Sequence, residues 1–439
     1  MQHVDTILRA RWVIPVEPTN TILEHHSVII DKGCITAIES NDIAEQSYQS
    51  DDVIDLGQHA LIPGLINTHT HVAMNLFRGI ADDLPLMTWL NEHIWPAEQK
   101  WVDRAFVYDG SLLAMAEMLR GGITCFNDMY FFPDATAEAA IDAGMRCTIG
   151  LIALDFPTVW AKNAHEYLSK GFSVHDQFKN DPLISTAFAP HAPYTVSDEP
   201  LQKIQTYADE LDIPIHMHIH ETADEVQQAV DANAKRPLQR LQELGLLTPK
   251  LLAVHMTQLN DDEIELCAKQ GVNIIHCPES NLKLASGFCP AAKLLDAGAN
   301  LALGTDGAAS NNDLNMLGEM RTAALLAKGV AQDASAMPAV QTLYCATMGG
   351  AKALAREQEI GSLSAGKLAD ITAIDLSAIE TQPIFDPISH IVYCADRNQV
   401  SDVWIGGKRL LKQGQLTTID TESFLAKAKT WQQMISAKE

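Results

Sequence analysis

The sequence predicts an α/β protein: eight β-then-α units closed into a barrel, flanked by β-rich segments at both chain ends. Two observations predict it. Apolar, strand-like runs alternate with helix-patterned stretches through the middle of the chain, and strand signals cluster before and after that middle. A third gives the barrel a purpose: histidines and acids fall at the C-terminal ends of the strand-like runs, where barrel enzymes build their sites.

The first 57 residues read as short strands over 4–16, 27–40 and 52–56, with a turn at Asp31-Lys-Gly33. Eight candidate strands follow at 61–71, 124–129, 145–154, 184–191, 213–220, 251–256, 272–278 and 300–306. Helical patterning lies between most of them, as at 105–120, 135–143, 198–211 and 261–270. Near-continuous apolar strands joined by helices argue a parallel sheet buried on both faces. Eight units argue closure, with a doubly wound open sheet as the alternative. Strand signals return at 369–376, 388–394 and 400–411, with a hairpin turn at Gly406-Gly407.

Composition sets the limits. The 439 residues are 47% apolar and 20% charged, enough for a large core and against disorder. Fifty-six acidic against 31 basic residues give a formal net charge of −25. That surface repels phosphate backbones and anionic lipid, so neither nucleic acid nor a membrane is an expected partner. The eight cysteines form no Cys-x-x-Cys pair and sit mostly in apolar runs, as expected of reduced thiols in a cytoplasmic protein. The opening Met-Gln-His-Val-Asp lacks a basic region followed by an apolar one, which predicts no secretory leader.

The polar residues at strand ends carry the chemistry. His69 and His71 end the first candidate strand in Asn67-Thr-His-Thr-His71, and their i, i+2 spacing puts both on one face. His191 ends the fourth strand. His216, His218 and His220 alternate along the fifth, followed by Glu221. His255, His276 and Asp306 close the sixth, seventh and eighth. Any one of these is an ordinary buried polar residue. Several imidazoles and a carboxylate buried together need compensation, and a divalent cation compensates. Three imidazoles and one carboxylate suit Zn2+ with a position left for water; Fe2+ or Mn2+ is also compatible with the donor set. Spacing alone does not choose among the three histidines of the fifth strand.

In this order, Asn67-Thr-His-Thr-His71, His218-x-x-Glu221, His255 and Gly304-Thr-Asp306 resemble the mononuclear members of the amidohydrolase superfamily. Pro63-Gly-Leu-Ile66 and Gly361-Ser-Leu-Ser-Ala-Gly-Lys-Leu-Ala-Asp370 extend the resemblance over nearly the whole chain. It implies a distorted (β/α)8 TIM barrel with a small β-sandwich formed by both chain ends, here residues 59–366 and residues 1–58 plus 367–439. Some members bridge two metals through a lysine on the fourth strand; Ala189-Pro-His-Ala-Pro-Tyr194 has none, which implies the single-metal deaminase branch.

More locally, five stretches resemble the 5′-methylthioadenosine/S-adenosylhomocysteine deaminases. They are Arg78-Gly-Ile-Ala-Asp-Asp-Leu-Pro85, Phe126-Asn-Asp-Met-Tyr130, His191-Ala-Pro-Tyr194, Ser280-Asn-Leu-Lys-Leu284 and Gly304-Thr-Asp-Gly-Ala-Ala-Ser-Asn-Asn312. Carried over, the resemblance makes His69, His71, His218 and Asp306 the ligands of one Zn2+. It makes Glu221, His255 and Asp306 the catalytic residues, and Glu98, His191, Glu221, Asp306 and Trp89 the substrate contacts. It leaves His216, His220 and His276 without a chemical role. It implies hydrolytic deamination of an adenosine-type nucleoside. Related enzymes acting on guanine or triazines share much of the pattern, and a non-catalytic scaffold is the rival from another class. One departure bears on substrate. The arginine that some members carry after the third strand is missing from Ile149-Gly-Leu-Ile-Ala-Leu-Asp155, and Phe156-Pro-Thr-Val-Trp160 follows instead. This implies an apolar 5′ group, as in methylthioadenosine, over a charged tail. A homo-oligomer is expected on general grounds, since closed dimers are the commonest assemblies.

Overall fold

The computed structural model describes residues 1–437. Eight parallel strands form one sheet in sequential order: β1 (Leu65–Thr70), β2 (Ile123–Asp128), β3 (Arg146–Ala153), β4 (Ile184–Pro190), β5 (Ile215–Ile219), β6 (Leu251–His255), β7 (Asn273–His276) and β8 (Asn300–Leu303). The seam between β8 and β1 closes through polar contacts. Thr68 Oγ1 donates to the Leu303 carbonyl (2.7 Å), and the Asp306 amide donates to the His69 carbonyl (3.0 Å). A Cβ on Gly304 would lie 2.8 Å from the His69 amide nitrogen, so only glycine lets the two strands approach this closely. The barrel expectation holds, and the open-sheet alternative falls.

The helical patterns are where the sequence places them. Arg104–Arg120, Pro133–Ala143, Asp198–Leu211 and Asp261–Gln270 are helices packed around the barrel. Asp261–Gln270 starts at a capping box in which Asn260 accepts from the Glu263 amide and Glu263 accepts from the Asn260 amide.

Two segments differ from the sequence reading. The candidate strand over 61–71 is two strands: His59–Pro63 pairs outside the barrel, and β1 begins at Leu65. The chain changes sheet at Gly64, where a Cβ would fall 2.0 Å from Thr124 Oγ1. The stretch over 388–394 is a helix, Pro387–Tyr393, rather than a strand. Asp386 caps it by accepting from the Ile388 and Ser389 amides, Pro387 sits at its first position, and Ile388, Ile391 and Val392 are its buried face.

Both chain ends contribute to a second, nine-stranded sheet. Its centre is the antiparallel pairing of Ile371–Asp375 with His59–Pro63, which joins the amino-terminal strands to the carboxy-terminal ones. Leu8, Val28, Ile35, Ile371 and Trp404 belong to an apolar core of its own, apart from the core of the barrel. Six of the eight cysteines are buried; Cys34 is partly so and Cys394 is exposed, and all eight are free thiols. No helix among the described residues is long and apolar enough to cross a membrane.

Candidate metal centre and active site

The C-terminal ends of the strands bring the sequence-predicted residues to one place. His69 lies on β1, with His71 one residue past its end; His218 lies on β5, His255 ends β6, and Asp306 follows β8 by three residues. Asp306 Oδ1 is 3.2 Å from both His69 Nε2 and His71 Nε2, and His218 Nε2 is 3.2 Å from His69 Nε2. The ligand atoms of His69, His71 and Asp306, and separately those of His69, His218 and His255, fall within 4.8 Å of one another.

The outer nitrogens decide how these rings present themselves. His71 Nδ1 donates to the Met129 carbonyl (2.6 Å), and His218 Nδ1 donates to the His191 carbonyl (2.7 Å). A carbonyl only accepts, so both rings carry a proton on Nδ1 and turn Nε2 inward, the arrangement metal-ligating imidazoles adopt. His69 Nδ1 lies 2.8 Å from His216 Nε2, which gives the third ring an outer partner as well. Inward-facing imidazole nitrogens beside a buried carboxylate fit a divalent cation in both donor chemistry and charge. The titration behaviour agrees. Burial would lower His71, yet the hydrogen bond to Asp306 and its charge outweigh this and lift it to about 9. Burial would likewise raise Asp306, but its contacts with His69 and His71 hold it well below the usual carboxylate range. His69, against the same carboxylate, is instead lowered to about 4 by its burial. His218, facing other imidazoles, is pushed well down by burial.

A cavity of about 480 Å³ opens above the cluster. His71, His218, His255 and Asp306 line it beside Glu221, His191, Glu98 and Trp89; His69 is fully buried beneath. Glu221 Oε2 is 3.8 Å from His255 Nε2, and burial raises its carboxyl. Tyr130 donates to Glu98 Oε1 (2.8 Å); burial still lifts Glu98 to about 7. His191 Nδ1 meets Thr195 Oγ1 at 3.1 Å, and burial lowers the ring to about 3, so it is a neutral wall residue at pH 7. Trp89 opens a single π-helical turn, Trp89–Ile94, whose Leu90 and Ile94 also face the cavity. Such turns recur at functional sites. Ile152, Leu154, Phe156, Pro157 and Val159 complete an apolar wall, and no lysine or arginine is among the lining residues.

Of the histidines left open by sequence, His216 backs His69 and His220 Nε2 accepts from the Leu238 amide (3.3 Å). His276 is buried beside His255 with Nδ1 unpartnered. Residues with no role in the sequence reading also touch the site: Tyr130 on Glu98, Ser286 on Glu221, Ser280 on Asp306 and Asn281 on His255. The last two stand together in Ser280-Asn-Leu-Lys-Leu284, the signal that could have found them.

Comparison with known proteins decides the family: the model of the amidohydrolase family matches residues 60–410. The chain belongs to the amidohydrolase family. It is 49% identical over 434 residues to a 5-methylthioadenosine/S-adenosylhomocysteine deaminase of Saccharophagus degradans, covering 99% of this chain and 97% of that one. Among solved structures, a zinc-bound adenosine deaminase from Xanthomonas campestris superposes with a TM-score of 0.97 at 51% identity, covering 99% of both chains. An atrazine chlorohydrolase from Arthrobacter aurescens superposes with a TM-score of 0.91 at 23% identity, over 97% of this chain and 99% of that one, which shows a shared fold alone.

Proposed function

We propose that this amidohydrolase is a zinc-dependent deaminase of adenosine-type nucleosides, converting 5′-methylthioadenosine to 5′-methylthioinosine and ammonia, with S-adenosylhomocysteine and adenosine as poorer substrates. The observation that carries the reading is one cavity in which the ligand cluster forms the floor, two further proton-handling groups stand beside it, and the outer wall is apolar and free of cationic side chains. Relatedness at 49% identity over nearly the full chain supports a deaminase over a triazine hydrolase.

In this reading His69, His71, His218 and Asp306 would hold Zn2+, which would supply the Lewis acidity that lets water act as a nucleophile near neutral pH. Asp306 takes the proton from the attacking water. His255 directs its Nε2 at the same water and steadies the tetrahedral carbon that forms. Glu221, whose carboxyl burial raises, gives a proton to the ring nitrogen beside the attacked carbon, which makes that carbon more electrophilic. Asp306 then passes its proton to the amino group, the C–N bond breaks, the hydroxyl gives up its remaining proton to restore Glu221 as the carbonyl forms, and ammonia leaves. Glu98 accepts hydrogen bonds from the ribose hydroxyls, and His191 and Trp89 shape the nucleoside pocket.

The 5′ group meets Ile152, Leu154, Phe156 and Val159, so a methylthio group gains burial there while an amino-acid carboxylate would find no counter-charge. A homo-oligomer acting in the cytoplasm belongs to the same reading, and light scattering on the purified protein checks the first half of it.

The deciding experiment incubates zinc-loaded protein with methylthioadenosine, S-adenosylhomocysteine, adenosine and guanine, following ammonia release with metal content measured alongside. Fastest release from methylthioadenosine is expected. Faster release from S-adenosylhomocysteine would keep the reaction and overturn the tail preference. Turnover of guanine alone would overturn the nucleoside assignment, and no turnover by zinc-loaded protein would revive the scaffold.

A further inference from the structure

Residues 280–286 follow β7 and include most of the short helix Pro278–Lys283. None of them belongs to the ligand cluster. Three of their polar side chains nevertheless reach the three groups that the proposed reaction uses. Ser280 Oγ donates to Asp306 Oδ2 (2.7 Å), Asn281 Oδ1 accepts from His255 Nδ1 (2.8 Å), and Ser286 Oγ donates to Glu221 Oε1 (3.4 Å). All three are buried.

We infer that this segment is a positioning rail for the proton-handling groups, with Ser280 orienting Asp306 and Asn281 fixing the tautomer of His255. The inference rests on the reaction proposed above.

The terminal torsion of an aspartate is soft, so the plane of its carboxylate swings unless something holds it. Here Oδ1 faces His69 and His71, and Oδ2 is held by Ser280. The hydroxyl on Oδ2, together with the Gly307 amide on Oδ1 (2.8 Å), thus fixes the plane in which the carboxylate meets the metal ligands. For His255 the amide oxygen of Asn281 selects the ring with its proton on Nδ1. Nε2 is left with its lone pair, on the side of the ring that faces Glu221 at 3.8 Å. The opposite tautomer would point an N–H at the water that the ring has to receive. Packing gives no reason for an amide at this place, because Asn281 Nδ2 is itself buried without a hydrogen-bond partner. An unpaired buried donor is costly, and a side chain kept for stability alone would avoid it. Ser280 and Asn281 are adjacent in sequence, yet their partners come from the ends of β8 and β6. One dipeptide therefore sets two groups against each other.

The test compares S280A, S280T, N281A and N281D with the wild type for zinc content, KM, kcat and the 15N signals of His255 in histidine-labelled protein, assigned with H255Q. Zinc content should stay at the wild-type level in all four. S280A and N281A should lower kcat about 10–100-fold with KM changed by less than about threefold. S280T, which keeps the hydroxyl, and N281D, which keeps an acceptor oxygen, should recover most of kcat. His255 should carry its proton on Nδ1 in the wild type and N281D, and lose that preference in N281A. Unchanged kcat in both alanine variants, N281D no better than N281A, or an Nε2-protonated His255 in the wild type would overturn the inference. Where the wild type deaminates no adenosine compound, the proposed function falls and the spectra decide the rail: an Nδ1 proton lost only in N281A supports it, and any other pattern overturns it.

Discussion

The two mouths of the barrel each bury charge, and they treat it differently. At the bottom, Arg146 at the start of β3 grips Asp370 of the end segment, with Nε on Oδ2 (2.8 Å) and Nη2 on Oδ1 (3.1 Å). Its Nη1 donates to the Pro182 carbonyl (2.9 Å), and the Gly406 amide donates to Asp370 Oδ1 (2.7 Å). Both charges of this pair have their partners within the protein. At the top, His69 and His218 turn Nε2 atoms toward each other at 3.2 Å beside Asp306, and the Nδ1 atoms of His216 and His276 have no partner. The bottom is complete as folded, the condition for a buried ion pair to be tolerated. The top is complete only with a cation added. A closed charge network marks the stabilising end of this barrel, and an open one marks the end where chemistry is expected.

The sharpest way to break this comparison is at Asp306. D306A should lower kcat/KM by about 10⁴-fold, because in the proposed reaction one carboxylate serves as both ligand and base. The same variant should lose zinc on dialysis while its melting temperature without metal stays near that of the wild type. Ammonia release and metal analysis check this, and a D306A protein of near-normal activity would end the assignment.

At the other mouth, R146M should cost about 3–5 kcal/mol of stability by leaving the Asp370 carboxylate buried and unpaired. Its kcat, measured below its lowered melting temperature with zinc saturating, should match the wild type. Urea titration beside steady-state kinetics reads both, and a large fall in kcat would mean that the two ends are coupled.

Zinc binding itself should stabilise the wild type by about 2.7 kcal/mol at a free concentration 100 times Kd. R146M should show the same increment, since distant sites add. Thermal melts across a zinc titration measure it, and an increment lost in R146M would again join the two ends.

The smallest effect concerns Glu98. Its carboxyl lies at about 7 in the folded chain against an ordinary value of 4.5. The folded state therefore binds more protons than the unfolded state between those values, and stability falls as pH rises through that window. E98Q should flatten the stability curve between pH 4.5 and 7, as followed by denaturation at several pH values. An unchanged slope would show that Glu98 titrates normally.

Much of the top face was legible in the sequence because its groups sit at strand ends. His-x-His, His218-x-x-Glu221 and Gly304-Thr-Asp306 are short-range patterns on elements whose apolar runs are themselves easy to read. Period two places His216, His218 and His220 on one face, so spacing alone does not choose among them; the resemblance does, through His218-x-x-Glu221. The coordinates separate them by depth: His216 reaches the outer nitrogen of His69 and His218 the inner one. Tyr130, Ser280 and Asn281 carried no periodic signal, and their partners lie 32, 26 and 26 residues away in sequence. Such contacts are set by folding rather than by spacing. A short apolar run looks alike in helix and strand, so the pattern over 388–394 predicts a strand where the chain forms the helix Pro387–Tyr393. Its cap at Asp386 was the signal that favoured the helix.

The pairing of His59–Pro63 with Ile371–Asp375 also constrains how the chain is made. The first strand leaves the ribosome roughly 15–60 s before its partner at synthesis rates of about 5–20 residues per second. Through that interval the amino-terminal half-sheet has an open edge, which is a template for strands of other chains. A nascent chain arrested before residue 371 should therefore be caught by chaperones or by its own neighbours, whereas one released after residue 416 has already closed that edge.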